Sequence, residues 1–123
     1  MRVLITGSRA WRDYPTLRKR LSDLPIRSTI VHGAATGADA MAHVAAEALG
    51  FTTEPHWPDY EHYPYELAPL IRNQLMVGLG ADQCLAFPTK GSRGTWHCVR
   101  FAEEAGIPVE IIGEWGINQG WKK

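Results

Sequence analysis

The sequence predicts an α/β fold, a parallel sheet of about five strands with helices layered on both faces. Three observations predict it. Short runs of β-branched and apolar residues alternate along the chain with segments that carry one apolar stripe at helical spacing. Glycine or proline punctuates nearly every segment. Strands this short and this apolar suit burial on both faces, as in a parallel sheet.

Residues 2–6, RVLIT, form the first strand, and Gly7-Ser8-Arg9 ends it. Asp13 can cap the next helix and Pro15 suits its first turn. Leu17, Leu21 and Leu24 give that helix its apolar stripe, while Arg18, Lys19 and Arg20 point mainly away; Pro25 ends it. The second strand covers residues 29–32. A helix from about 37 to 49 follows, with Ala38, Met41, Ala42, Ala45 and Leu49 on one face and Gly50 as its stop. Residues 51–54 read as a third strand. Residues 55–64, PHWPDYEHYP, fit no regular element, and a loop of that length inside a compact domain is often functional. Residues 65–77 read as a helix, broken or started late by Pro69 and closed by Gly78 and Gly80. The fourth strand is 81–87, and 88–93, PTKGSR, is a small-residue loop. A helix over 94–105 turns Cys98, Val99, Ala102 and Ala105 inward before Gly106. The fifth strand is 108–112. The tail, 113–123, is assigned to no element.

Right-handed crossovers limit the topologies. The expected arrangement is a Rossmann-like three-layer fold with strand order 3-2-1-4-5. Its switch point lies between strands 1 and 4, and ligands bind beside such a point at the carboxyl ends of the strands. The loops at 7–9, 33–39 and 89–95 all fall at those ends.

The 123 residues predict one domain with a core that needs no staples. Thirteen Lys and Arg balance thirteen Asp and Glu, which argues against a general nucleic-acid binder, although six of the basic residues precede Asp23. Cys84 and Cys98 form no Cys-x-x-Cys pair and read as buried thiols in a reducing compartment. His32, His56, His62 and His97 form no metal-binding signature, and no metal is expected. No leader pattern or membrane-length apolar run is visible, so the expected location is the cytoplasm. Trp115 and Trp121 fall in the glycine-rich tail, where they can cover a surface or a subunit contact.

The stretch 30–41, IVHGAATGADAM, runs from a strand through a glycine turn into an alanine-rich helix. Gly33 and Gly37 allow unusual backbone and close approach. The free amides and positive dipole at the helix start suit a phosphate, though an ordinary tight strand-to-helix connection reads equally well. Residues 91–95, GSRGT, repeat the logic without being a Walker A loop; here the plain alternative is a helix cap by Ser92 or Thr95. Arg9 and Arg72 are anion-binding candidates, and Asn73 needs a reason to stand in a helix. Asp39 can favour its helix end, order the loop or hold a ribose hydroxyl. Trp57, Tyr60 and Tyr63 can stack a base or pack the loop onto the sheet.

Together, the Gly-Ser-Arg after the first strand, HGAATGADAMA, the Arg-Asn helix and GSRGT before a helix resemble the SLOG superfamily, in particular the small YspA/YpsA-like family, over about residues 1–112. The resemblance implies a sensor or binding module for a nucleotide or a nucleotide-derived, ADP-ribose- or NAD-like ligand. The ligand candidates are Gly7, Ser8, Arg9, Gly33, Ala34, Thr36, Gly37, Asp39, Arg72, Asn73, Gly91, Ser92, Gly94 and Thr95. LOG enzymes of the same superfamily carry Pro-Gly-Gly-x-Gly-Thr-x-x-Glu; here Ser92 replaces the second glycine and Cys98 stands at the catalytic Glu. A thiol does not replace a carboxylate at a cation-like sugar, so binding is expected above hydrolysis. The alternative is a hydrolase of the N-glycosidic bond, with Asp39, Glu61 or His97 as acid or base. No cofactor is assigned beyond the nucleotide-type ligand. The expected partners are that small molecule and further copies of the chain, in a bacterium or its phage, with neither nucleic acid nor membrane among them.

Overall fold

The computed structural model describes residues 1–116. Five strands, β1 (Arg2–Gly7), β2 (Thr29–His32), β3 (Thr52–Pro55), β4 (Gln83–Phe87) and β5 (Val109–Ile111), alternate with four helices, α1 (Tyr14–Ser22), α2 (Ala38–Ala48), α3 (Ala68–Gly78) and α4 (Arg93–Glu104). The strands pair in parallel in the order β3-β2-β1-β4-β5, as the sequence predicts.

Alternation along β1 explains the three layers. Successive side chains point to opposite faces. Val3 and Ile5 join Trp11, Leu17, Leu21 and Ala42 under α1 and α2, whereas Leu4 joins Met76, Cys84, Cys98 and Ala102 under α3 and α4. Trp11 meets Phe87 edge-on at 5.2 Å and donates its indole N–H to the Asp13 carbonyl at 2.9 Å, so a large buried ring keeps its polar atom satisfied. At the edges, Arg2 holds Glu54 through two bonds of 2.8 and 3.0 Å, and Arg20 holds Glu110 through another two of 2.8 and 3.0 Å. Arg20 therefore ties α1 to β5 instead of simply facing solvent.

Asp13 caps α1 by accepting from the Thr16 amide at 3.1 Å, and Pro15 stands in the first turn. α3 begins at Ala68 because residues 64–67 make a turn onto the Pro64 carbonyl before Pro69 enters the first helical turn. Ala105 is exposed, not inward: α4 stops at Glu104, and Gly106 turns the chain with φ of 79°. In the tail, Glu114 accepts from the Arg12 amide at 2.7 Å and the Trp115 amide donates to Asp13, while Trp115 as a residue stays 62% exposed. Trp121 lies outside the described residues. Among the described residues no helix is long and apolar enough to cross a membrane.

Candidate functional site

A cavity of about 380 Å³ opens at the carboxyl ends of β1 and β4, the switch point of the sheet. The β1–α1 loop brings Gly7, Ser8 and Arg9. Asp39 comes from α2, Arg72 and Asn73 from α3, and residues 89–95 form the far wall. Four separate segments therefore converge on one place.

The two glycine loops differ in kind. The first is filled by the protein itself. The Gly33 amide donates to Asp39 Oδ2 at 3.1 Å, Ala35 to the same oxygen at 3.4 Å, and Ala34 to His32 Nδ1 at 3.0 Å. The first amide of α2, on Ala38, donates to the Ser8 carbonyl at 3.0 Å. A Cβ at Gly33 would stand 2.5 Å from the Arg72 guanidinium, and one at Gly37, whose φ is 73°, would stand 2.4 Å from the Ser8 carbonyl. These glycines admit neighbouring protein atoms. The expectation that this turn stands open for a ligand is therefore corrected: its loop amides and the first amide of α2 already have protein partners, and protein atoms fill the space beside Gly33 and Gly37. Of this loop only Ala35 and Asp39 reach the cavity wall, whereas Gly33, Ala34, Thr36 and Gly37 do not.

The second loop is open. Gly91 has φ of 82°, and a Cβ at Gly91 or at Gly94 would meet nothing within 4 Å. Ser92 occupies the cap position of α4, yet its hydroxyl donates to the Thr89 carbonyl at 2.8 Å and accepts from the Thr89 amide at 3.2 Å. It shapes the loop and leaves the helix without a side-chain cap, which corrects the reading of Ser92 or Thr95 as a cap. Ser8 and Thr89 share a hydroxyl–hydroxyl bond of 2.5 Å that fixes this loop to the β1 loop. Arg9, Lys90 and Arg93 are exposed cations on the same wall. Lys90, Arg93 and Thr89 are absent from the candidates drawn from sequence. The available signal was a cation beside each glycine, in Lys90-Gly91 and Arg93-Gly94.

Arg72 supports the site from within. Nε donates to Asn73 Oδ1 at 3.0 Å, and Nη1 donates to the Gly33 carbonyl and, at 3.5 Å, to that of His56. Nη2 is in none of these bonds. Asn73 passes the link on to the Gly94 carbonyl at 3.4 Å, which is the reason an asparagine stands in α3. Burial lowers the Arg72 pKa, opposed by Asp39. Burial likewise pushes the Asp39 carboxyl up to about 6, against Arg72 and the two loop amides. Asp39 thus orders the loop through Oδ2, while its other oxygen has no partner.

Glu61 and His97 are not at the cavity. Glu61 is exposed in the 56–67 loop, and His97 lines a separate hollow on α4 with Arg100, Phe101 and Glu104. Trp57, Tyr60 and Tyr63 are exposed and absent from the cavity wall; Tyr60 stacks on Tyr65 at 5.4 Å. The apolar wall comes instead from Pro69, Leu70 and Met76. Cys98 is fully buried, and burial pushes its thiol up to about 11.

Residues 1–63 match the family model described as the YspA, cpYpsA-related SLOG family. The Gene 61 protein of Mycobacterium phage D29 is 45% identical over 122 residues, covering 92% of this chain and 97% of that protein. DNA processing protein A (DprA) from Streptococcus pneumoniae superposes with a TM-score of 0.77 at 22% identity, over 90% of this chain and 50% of that one. The Helicobacter pylori DprA, described by its single-stranded DNA binding mode, gives 0.62 at 20% identity, over 91% of this chain and 65% of that one. The chain thus spans about half of one DprA and under two thirds of the other. The expectation that nucleic acid is not a partner is corrected: a zero net charge does not exclude it when a structural neighbour is described by its single-stranded DNA binding mode and four of the thirteen basic residues, Arg9, Arg72, Lys90 and Arg93, line one cavity.

Proposed function

The chain belongs to the YspA, cpYpsA-related SLOG family, and from that premise we propose that it is a binding module for a phosphate-bearing nucleotide or nucleotide-derived ligand. The phosphate sits on the α4 N-terminus, between Arg9, Lys90 and Arg93. The observation that carries this reading is the open space at Gly94, at the start of α4 in the cavity wall; no side chain caps this helix, and of its first amides that of Arg93 turns back onto the Gly91 carbonyl. Helix amides without intrahelical partners, a positive dipole end and flanking guanidinium groups each favour an anion. A volume of about 380 Å³ suits a mononucleotide or part of a larger ligand.

A thermal-shift screen against nucleotides, ADP-ribose, NAD and cyclic nucleotides, with product analysis of each hit, tests the proposal. A ligand at 100 times its Kd stabilises a fold by about 2.7 kcal/mol. A shift with the ligand recovered intact supports the module. Released base would replace it with the hydrolase, with Asp39 as the acid or base at the cavity. No shift with any phosphate-bearing compound would sink the ligand.

The likeness to DprA favours a second reading, in which the phosphates belong to a single strand of nucleic acid. Affinity would then fall steeply with salt, as counterions are released from each neutralised phosphate. A mononucleotide held by two or three contacts shows a shallower dependence.

A further inference from the structure

Asp39 Oδ1 and Thr95 Oγ1 are buried, on residues that line the cavity, and without a hydrogen-bond partner. The two residues are only 5% and 3% exposed. Folded proteins pair nearly all such atoms, so two orphans at one cavity mark the place of an absent partner. An ionised carboxylate accepts and cannot donate, so Asp39 asks for a donor. It also repels phosphate, so the ligand group beside it is uncharged. Thr95 is the third residue of α4, within one turn of the amides assigned to the phosphate. In a nucleotide the neutral donor next to the phosphate is the sugar.

We propose that a free sugar hydroxyl of the ligand donates to Asp39 Oδ1 and bonds Thr95 Oγ1, so that the site selects nucleotides by their ribose hydroxyls. The proposal rests on the nucleotide reading above. It also gives Asp39 a division of labour. Oδ2 holds the amides of Gly33 and Ala35, while Oδ1 reads the ligand. Asp39→Asn separates the two: the amide oxygen still accepts from the loop, and an NH₂ donor replaces the reading oxygen. Thr95→Val removes the other partner at nearly constant shape.

The experiment is a calorimetric titration of the whole chain with ribonucleoside 5′-monophosphates, their 2′-deoxy and 3′-deoxy forms, and ribose 5-phosphate. One deoxy form binds about 10- to 100-fold more weakly than the ribonucleotide, the range expected for a lost charge-assisted hydrogen bond, and identifies the hydroxyl. Asp39→Asn brings that ratio to within about threefold, and Thr95→Val reduces it. Equal binding of ribo and both deoxy forms overturns this inference and leaves the nucleotide module standing. Discrimination that survives in Thr95→Val and Asp39→Asn overturns the assignment to these atoms. Failure of every compound to bind removes the nucleotide reading, and this inference with it. Should Asp39→Asn not fold, the wild-type ratio and Thr95→Val carry the test.

Discussion

Replacing Gly33 and Gly94 separately by alanine puts the same methyl group into the two glycine loops, with opposite consequences. At Gly33 the new Cβ would stand 2.5 Å from Arg72 Cζ and Nη1. Arg72 cannot swing aside without losing its bonds to the Gly33 carbonyl and Asn73. Overpacking costs about 1–3 kcal/mol and a charge-assisted hydrogen bond about 1.5–3, so partial relaxation leaves a net loss of about 2–4 kcal/mol. For a chain of this length that lowers Tm by roughly 10 °C. At Gly94 a Cβ meets nothing within 4 Å, and alanine suits a helix better than glycine by up to ~1 kcal/mol. Gly94→Ala is therefore as stable as the parent or slightly more so. Its methyl occupies the cavity wall beside the α4 amides, and nucleotide affinity falls about tenfold or more, about 1.4 kcal/mol. Thermal unfolding and calorimetric titration of both variants check this. A stable Gly33→Ala that has lost binding, beside a Gly94→Ala that binds normally, would refute the assignment of the loops.

Four further outcomes follow from the same structure. The Asp39 carboxyl sits at about 6 against an ordinary 3.8, so the folded chain binds more protons than the unfolded one between those values; its contribution to stability is full below about pH 4 and is lost as pH rises through about 6. The stability of the parent relative to Asp39→Asn therefore falls from pH 4 to pH 7 in urea unfolding, and a pH-independent difference would count against it. Glu54 has the opposite sign: Arg2 and His56 hold it at about 2, so its contribution is present above 4.5 and lost as pH falls, and Glu54→Gln flattens the acid limb of the same curve. Burial raises both cysteine thiols, and both are fully buried, so a thiol reagent labels neither in the folded chain and both once denaturant is added, as read by intact mass. Asp13→Ala removes the acceptor of the Thr16 and Trp115 amides at a fully buried position and costs about 1–2 kcal/mol in urea unfolding.

What the sequence disclosed, and what it hid, follows the range of the interactions. Strand order was legible because local patterns name the elements and handedness limits their arrangement. Asp13 and Pro15 were legible because a cap acts within one turn. The role of Gly33 was not, because the group that fills its missing side chain is Arg72, 39 positions away, and nothing near Gly33 distinguishes room for a guanidinium from room for a ligand. The Ser92 cap failed for a related reason. Its hydroxyl had a competing local partner in Thr89, and a Ser at a helix start does not show which bond wins. Cavity membership of Pro69, Leu70 and Met76 depends on how α3 packs, and the aromatic loop at 57–63 drew attention that belonged to that helix.

The central claim is that the open loop at 89–95 and the start of α4 take the ligand's phosphate, while the loop at 33–37 is internal scaffolding. Backbone amide chemical-shift mapping during titration with a ribonucleoside 5′-monophosphate tests it most directly. The account predicts the largest changes at Gly91, Gly94 and Thr95, with small ones at Gly33, Ala34 and Gly37. Large changes confined to the 33–37 amides, with 91–95 unmoved, would contradict it.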